Sequence, residues 1–267
     1  MPLSMSAECF TQLVESCKFP KEFAQSIFAN NGSFARFVEY DEFQGLDVPT
    51  SLYNLPKAVV VQTPYSPVSN LSLVIRVDIA ERSAKACVLN YNTSEINALW
   101  DRLQVRQGMV QKNPLLLLSI VFEEFGYASE LFREQLDREV ARIERASGHT
   151  SLSFRPSAWN TEYEALTRDL HACSTDLIFM EHVTEFERTW GAFCKDTLSV
   201  LETLRLERGL QGLSKRETVQ TAQCMDYHLN LSQMRKTQAL ALQKRVQLQI
   251  NVVSKTETSR HKILTPL

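Results

Sequence analysis

Residues 242–254 read LQKRVQLQINVVS. Leu242, Val246, Ile250 and Val253 recur every three to four positions, so on a helix they form one apolar stripe, with Gln243, Lys244, Gln247 and Lys255 on the wetter side. The helical pattern extends back to Met225, which predicts a long helix over residues 225–254 whose stripe needs a packed partner.

Upstream lies a second long periodic stretch. Val183, Phe186, Trp190, Phe193, Thr197, Val200 and Leu204 alternate in steps of three and four, a heptad-like seam within a helical region spanning Trp159 to Arg208. Gly209 to Gly212 breaks that region, and Ser214-x-x-Glu217 has the spacing of a capping box for the helix that follows. Two long helices joined by a short turn predict an antiparallel pair with bundle-like packing.

Pro114 starts another helix, through Phe122, Phe125, Leu131, Phe132, Leu136, Val140 and Ile143, and residues 148–156 are the best linker candidate. Thr93-Ser94 with Glu95 reads as a helix start, and Ile96, Leu99, Trp100 and Leu103 supply its apolar face.

The first hundred residues are mixed. Cys9, Leu13 and Val14 suggest an opening helix broken at Pro20, and Phe23, Ile27 and Phe28 a second one ending near Asn31-Gly32. Lys57–Thr63, Leu71–Ile79 and Ala86–Tyr91 read as strands. Arg76 and Asp78 alternate with Ile75, Val77 and Ile79, which predicts one wet face on the second strand. The expected fold is therefore α+β and predominantly helical: a small mixed α/β layer over residues 1–105, a long helix and linker over 106–148, and a long-helix bundle over 149–267 ending in a stalk-like helix.

The pattern Leu-x-x-Arg-Val-x-x-Gln-Ile-x-Val-Val at residues 242–253 resembles the helix that precedes the first membrane span in CorA-like metal-ion (magnesium) transporters, particularly their fungal branch. Pro114 to Tyr127 and the helical block Leu170 to Leu206 carry the rest of the likeness. The resemblance implies a cytosolic domain of strands first and long helices last, assembling with itself or with a full-length relative, with magnesium held by carboxylates between protomers. The chain departs from that pattern after Val253, where Ser-Lys-Thr-Glu-Thr-Ser-Arg-His-Lys stands in place of an apolar span, and this suggests a truncated cytosolic part. The pore tripeptide Gly-Met-Asn is missing, since Gly108-Met109-Val110 matches it at two positions only and lies between polar segments.

A helical span takes about 20 consecutive, mostly apolar residues. The best candidate, Leu115–Phe122, runs into Glu123 and Glu124, so no membrane insertion and no pore are expected of this chain. With 267 residues, 44% hydrophobic content and a formal net charge of −2, the composition suits a globular chain and gives no bias toward nucleic acid or anionic lipid. The N-terminal residues lack the basic and apolar regions of a secretory signal, which makes a cytoplasmic location the expectation. The six cysteines form no Cys-x-x-Cys pair and read as reduced core residues.

No nucleophile elbow, phosphate-binding glycine loop or His-Glu-x-x-His motif occurs, so the chain reads as a non-enzyme. His182 and Glu185, within one helical turn, are the metal-ligand candidates, against the ordinary reading of a solvated charged face. Asp169 with Cys173, and Cys224 with His228, are further pairs of ligand type four residues apart. The mixed charges from Glu130 to Arg145 read ordinarily as an exposed helix face laced by ion pairs, and more sharply as acids for magnesium.

Two functions follow: a pore-lacking, regulatory or assembling cytosolic domain, and a helical scaffold protein whose seam recognises another helix. A bare Leu242–Val253 stripe favours the first and an open groove along the Val183–Leu204 seam the second.

Overall fold

The computed structural model describes residues 6–38, 56–78, 83–90, 92–147, 163–207 and 213–264. The fold is α+β and mostly helical, with a four-stranded sheet among seven described helices. Short helices α1 (Ala7–Cys17) and α2 (Lys21–Ser26) precede strands β1 (Ser33–Val38), β2 (Pro56–Gln62), β3 (Leu71–Asp78) and β4 (Ser83–Asn90). Helices α3 (Thr93–Val105), α4 (Gln107–Lys112), α5 (Leu116–Ser147), α6 (Tyr163–Glu207) and α7 (Lys215–Leu264) complete the chain. The linker at 148–156 and the break at Gly209 to Gly212 lie outside the described residues.

The contacts group into two compact units, residues 1–126 with 186–229 and residues 127–185 with 230–267, so each takes a part of α5, α6 and α7. The first unit holds the sheet, an antiparallel meander in the order β1-β2-β3-β4. Strand β1 is absent from the sequence reading: Ser33–Val38 is a six-residue edge strand whose alternation, Phe34 and Arg36 against Ala35 and Phe37, is too short to stand out.

The expected wet face of β3 is corrected. Ser72 and Val74 are buried and Arg76 is half-buried, because Phe10, Phe19 and Phe23 of the α1–α2 region pack with Val60 and Val74 over that face. Arg76 Nη1 donates to the Lys18 carbonyl at 2.7 Å and Lys85 Nζ to that of Ser16 at 3.4 Å, so the polar members of the face satisfy orphan carbonyls at the end of α1. On the opposite face, Val59, Val61, Leu73 and Ile75 are fully buried, and Phe34 meets Phe186 and Phe193 of α6 at 5.8 and 4.8 Å between ring centroids. Phe122 and Phe125 of α5 close edge-on to Trp190, which extends the same aromatic core.

Helix α3 begins at Thr93, where the sequence signal places it, with Asn92 as its N-cap. The Asn92 side chain caps the helix by accepting from the Ser94 N–H at 3.0 Å, and its amide donates to the Glu95 side chain at 3.0 Å. Glu95 also accepts from Ser69 and Asn90, which ties the β2–β3 connection and the end of β4 to this helix start. Trp100, expected on the apolar face, is 57% exposed, while Leu99 beside it is buried. The capping box of α7 forms as its spacing implies: the Ser214 N–H donates to Glu217 at 2.7 Å and the Glu217 N–H to Ser214 Oγ at 3.2 Å.

The second unit is a long-helix core in which Leu136, Val140 and Ile143 of α5, Leu166, Leu170, Leu177 and Met180 of α6, and Ala239, Leu242, Val246 and Val253 of α7 bury one another. Arg245 reaches Glu144 through Nε (2.9 Å) and Nη2 (2.8 Å), and Asp137 through Nη1 (2.8 Å). The charges of α5 are thus largely matched within the chain, as Glu130 pairs with Arg133, Glu134 with Arg138 and Glu139 with Arg142.

Candidate functional site

The most concentrated polar chemistry in the first unit sits where α5 meets the start of α7. Glu123, on the α5 turn after the apolar run Leu115–Phe122, is only 2% exposed. A lone buried carboxylate is costly, and two bonds from Arg106 at the α3–α4 junction compensate it: Nη1 to Oε1 at 2.6 Å and Nη2 to Oε2 at 2.8 Å. Arg102, one helical turn before Arg106, lies 3.5 Å from Glu123 and also pairs with Glu124. The bond to Glu123 holds the Arg106 guanidinium further into its charged form.

Two residues of α7 complete the cluster. Cys224 donates its thiol to Glu123 Oε1 at 3.2 Å, and burial first, then this bond, pushes the thiol up to about 11. His228, one turn on, brings a third kind of donor; one ligand atom from each of Glu123, Cys224 and His228 lies within 4.8 Å of the others. The side chains of Arg106, Glu123, Cys224, Ser119, Thr221 and Gln220 border a cleft of about 80 Å³. Chemically the cluster is a clamped carboxylate next to a protonated thiol and an imidazole, able to hold a proton or a soft cation and offering no activated nucleophile.

The candidates from sequence meet different surroundings. His182 is exposed, and Glu185 accepts from Lys236 Nζ at 2.9 Å, so its carboxylate is already matched by a cation. Asp169 pairs with Arg142, and burial pushes the neighbouring Cys173 thiol up to about 11. Cys224 and His228 do come together, joined by Glu123. Sequence reading missed the carboxylate because Glu123-Glu124 served there only as the polar end of an apolar run, and the partner helix lies a hundred residues away.

Both apolar files weighed in sequence are covered. Val183, Phe186, Trp190 and Thr197 are buried with Phe193 and Val200 half-buried, and Leu242, Val246 and Val253 are buried with Ile250 half-buried. At their described positions neither the bare stripe nor the open groove that would favour one of the two functions is found, so neither file argues for its reading. The buried file of α7 is Ser232, Arg235, Ala239, Leu242, Val246, Gln249 and Val253, alternating three and four. A different file is exposed on the same helix: Tyr227 (60%), Met234 (58%) and Leu248 (63%), with exposed Ala241 midway along the fourteen residues between the last two.

No family model, curated protein or solved structure matches the chain. Among the described residues, no helix is long and apolar enough to cross a membrane.

Proposed function

We propose that this chain acts as a cytosolic domain of the CorA-like kind without a pore, working by assembly with copies of itself or with a longer relative. The observation that carries the assembly part of this reading is the second apolar file of α7. A helix that packs once needs one stripe; the part of α7 in the second unit has one buried there and a second, exposed file through Met234, Ala241 and Leu248, in line with Tyr227 further up the helix. Single exposed apolar residues are ordinary on a protein surface, whereas four of them in line at one position of successive heptads give this 50-residue helix a narrow exposed apolar file. The order of elements, sheet first and the longest helix last, supports the same reading.

Magnesium held between protomers is not required. The acids that suggested it on α5 are largely paired with arginines of the same chain.

The test is the mass of the full chain in solution by sedimentation velocity, beside a Met234→Glu/Leu248→Glu variant. Concentration-dependent oligomers that the variant abolishes, with helicity unchanged, are the expected result. A monomeric parent chain would overturn self-assembly and leave the helical scaffold reading, in which the same file meets a different helix.

A further inference from the structure

We propose that Glu123, Cys224 and His228 form a binding site for a thiophilic divalent cation, with zinc(II) the matching ion. The inference goes beyond the assembly reading and does not rest on it.

The donor set comes first. Cys224 and His228 are four residues apart on α7 and so share a face one turn apart, and Glu123 of α5 faces them; their ligand atoms converge within 4.8 Å. One sulfur, one nitrogen and one oxygen suit zinc, which takes all three donor types, whereas magnesium and calcium require oxygen. Zinc–ligand bonds of about 2.0–2.3 Å place tetrahedral donors about 3.5 Å apart. The Cys224 sulfur lies 3.2 Å from Glu123 Oε1, already within that separation, and a ligand atom of His228 lies within 4.8 Å of both.

The surroundings make a built site of it. Arg106 occupies one lone pair on each Glu123 oxygen and fixes the carboxylate plane, the part played by outer partners of metal-ligating carboxylates. A second lone pair of Oε1 takes the Cys224 proton, which therefore lies on the line an ion would bridge. Three protein ligands leave one position of a tetrahedron, and the cleft of about 80 Å³ edged by Glu123, Cys224, Ser119 and Thr221 gives it room for water.

Binding is an exchange without redox chemistry. The Cys224 S–H bond breaks, its proton leaves to buffer, the sulfur keeps the electron pair and bonds zinc, and hydrating waters depart. The like charge of Arg106 opposes the ion, and the thiolate formed in the same step offsets it. The Arg102–Glu124 pair beside them adds no net charge.

The test uses the full chain under a thiol-free reductant, with cobalt(II) as a spectroscopic stand-in and a chromophoric chelator to compete for zinc. One equivalent of cobalt should give a sulfur-to-cobalt charge-transfer band in the near ultraviolet. Cys224→Ser should abolish it and His228→Ala weaken binding at least tenfold, with all other cysteines retained. A measurement needing no variant stands beside these: zinc should slow alkylation of Cys224 at least tenfold, read by peptide mass, while exposed Cys9 is unaffected. Absence of the band in the parent chain, a band that survives Cys224→Ser, or unprotected alkylation of Cys224 would each overturn the proposal. None of these readouts depends on oligomeric mass, so the site and the assembly reading fail separately.

Discussion

Arg106 shows at the scale of one residue why the buried end of α5 tolerates a charge. Glu123 gives up its water for two short guanidinium bonds, so removing the arginine leaves a carboxylate with little left to replace it. Arg106→Ala should therefore cost about 3 kcal/mol in urea denaturation. Adding Glu123→Ala to it should restore part of the loss, a coupling that a double-mutant cycle measures. Gly191 is a steric counterpart. A Cβ there would stand 2.5 Å from Leu229 Cδ2 and 2.7 Å from Phe122 Cζ, so Gly191→Ala should lower stability by about 1–3 kcal/mol through overpacking. At Glu217 the effect is one of charge. Lys112 first, then the Ser214 N–H, hold its carboxyl at about 2, below the ordinary 4.5. A depressed folded value means that the stabilisation is present above about pH 4.5 and is lost as pH falls toward 2. The stability gap between the parent chain and Glu217→Gln should accordingly narrow across that window in denaturation series at stepped pH.

Helix α7 is the element on which the two packing demands meet. Its buried file joins α5 and α6 in one core, so Leu242→Ala should cost about 2–5 kcal/mol, the loss of a packed leucine plus the cavity it leaves. Leu248 lies on the other file at 63% exposure, and Leu248→Glu should change unfolding free energy by no more than about 0.5 kcal/mol while weakening self-association. This opposite response separates a core position from an exposed one on the same helix. The sheet makes a related point about β3. Its alternation of apolar and charged residues is ordinary for a strand with one wet face, yet both faces are covered, because Arg76 keeps its guanidinium on the Lys18 carbonyl while Val74 packs under Phe23.

For the whole molecule, the combination of a four-stranded meander and helices of 45 and 50 residues was legible in outline. Long helices announce themselves through many repeats of one period, and strands β2, β3 and β4 through Val, Ile and Leu between turn residues. Strand β1 was not legible because six residues give too few alternations and its pairing with β2 is decided across an intervening stretch of chain. Of the candidate site, the Cys224–His228 half was visible as a four-residue spacing; Glu123 and Arg106 were not, since nothing local to either residue signals the other.

By itself, then, the sequence determined the local elements: the α7 capping box at Ser214 and Glu217, the seam through Trp190, and the stripe through Leu242 and Val246. These follow from spacing and short-range hydrogen bonding, which operate within a few residues. Only the tertiary structure decided which stripe is covered and which file of α7 meets solvent, and only it set Glu123 of α5 against Arg106 and Cys224. The reason is physical: burial and charge pairing are properties of surfaces brought together from distant parts of the chain, and a single helix with two apolar files carries no local sign of which one its own fold will use.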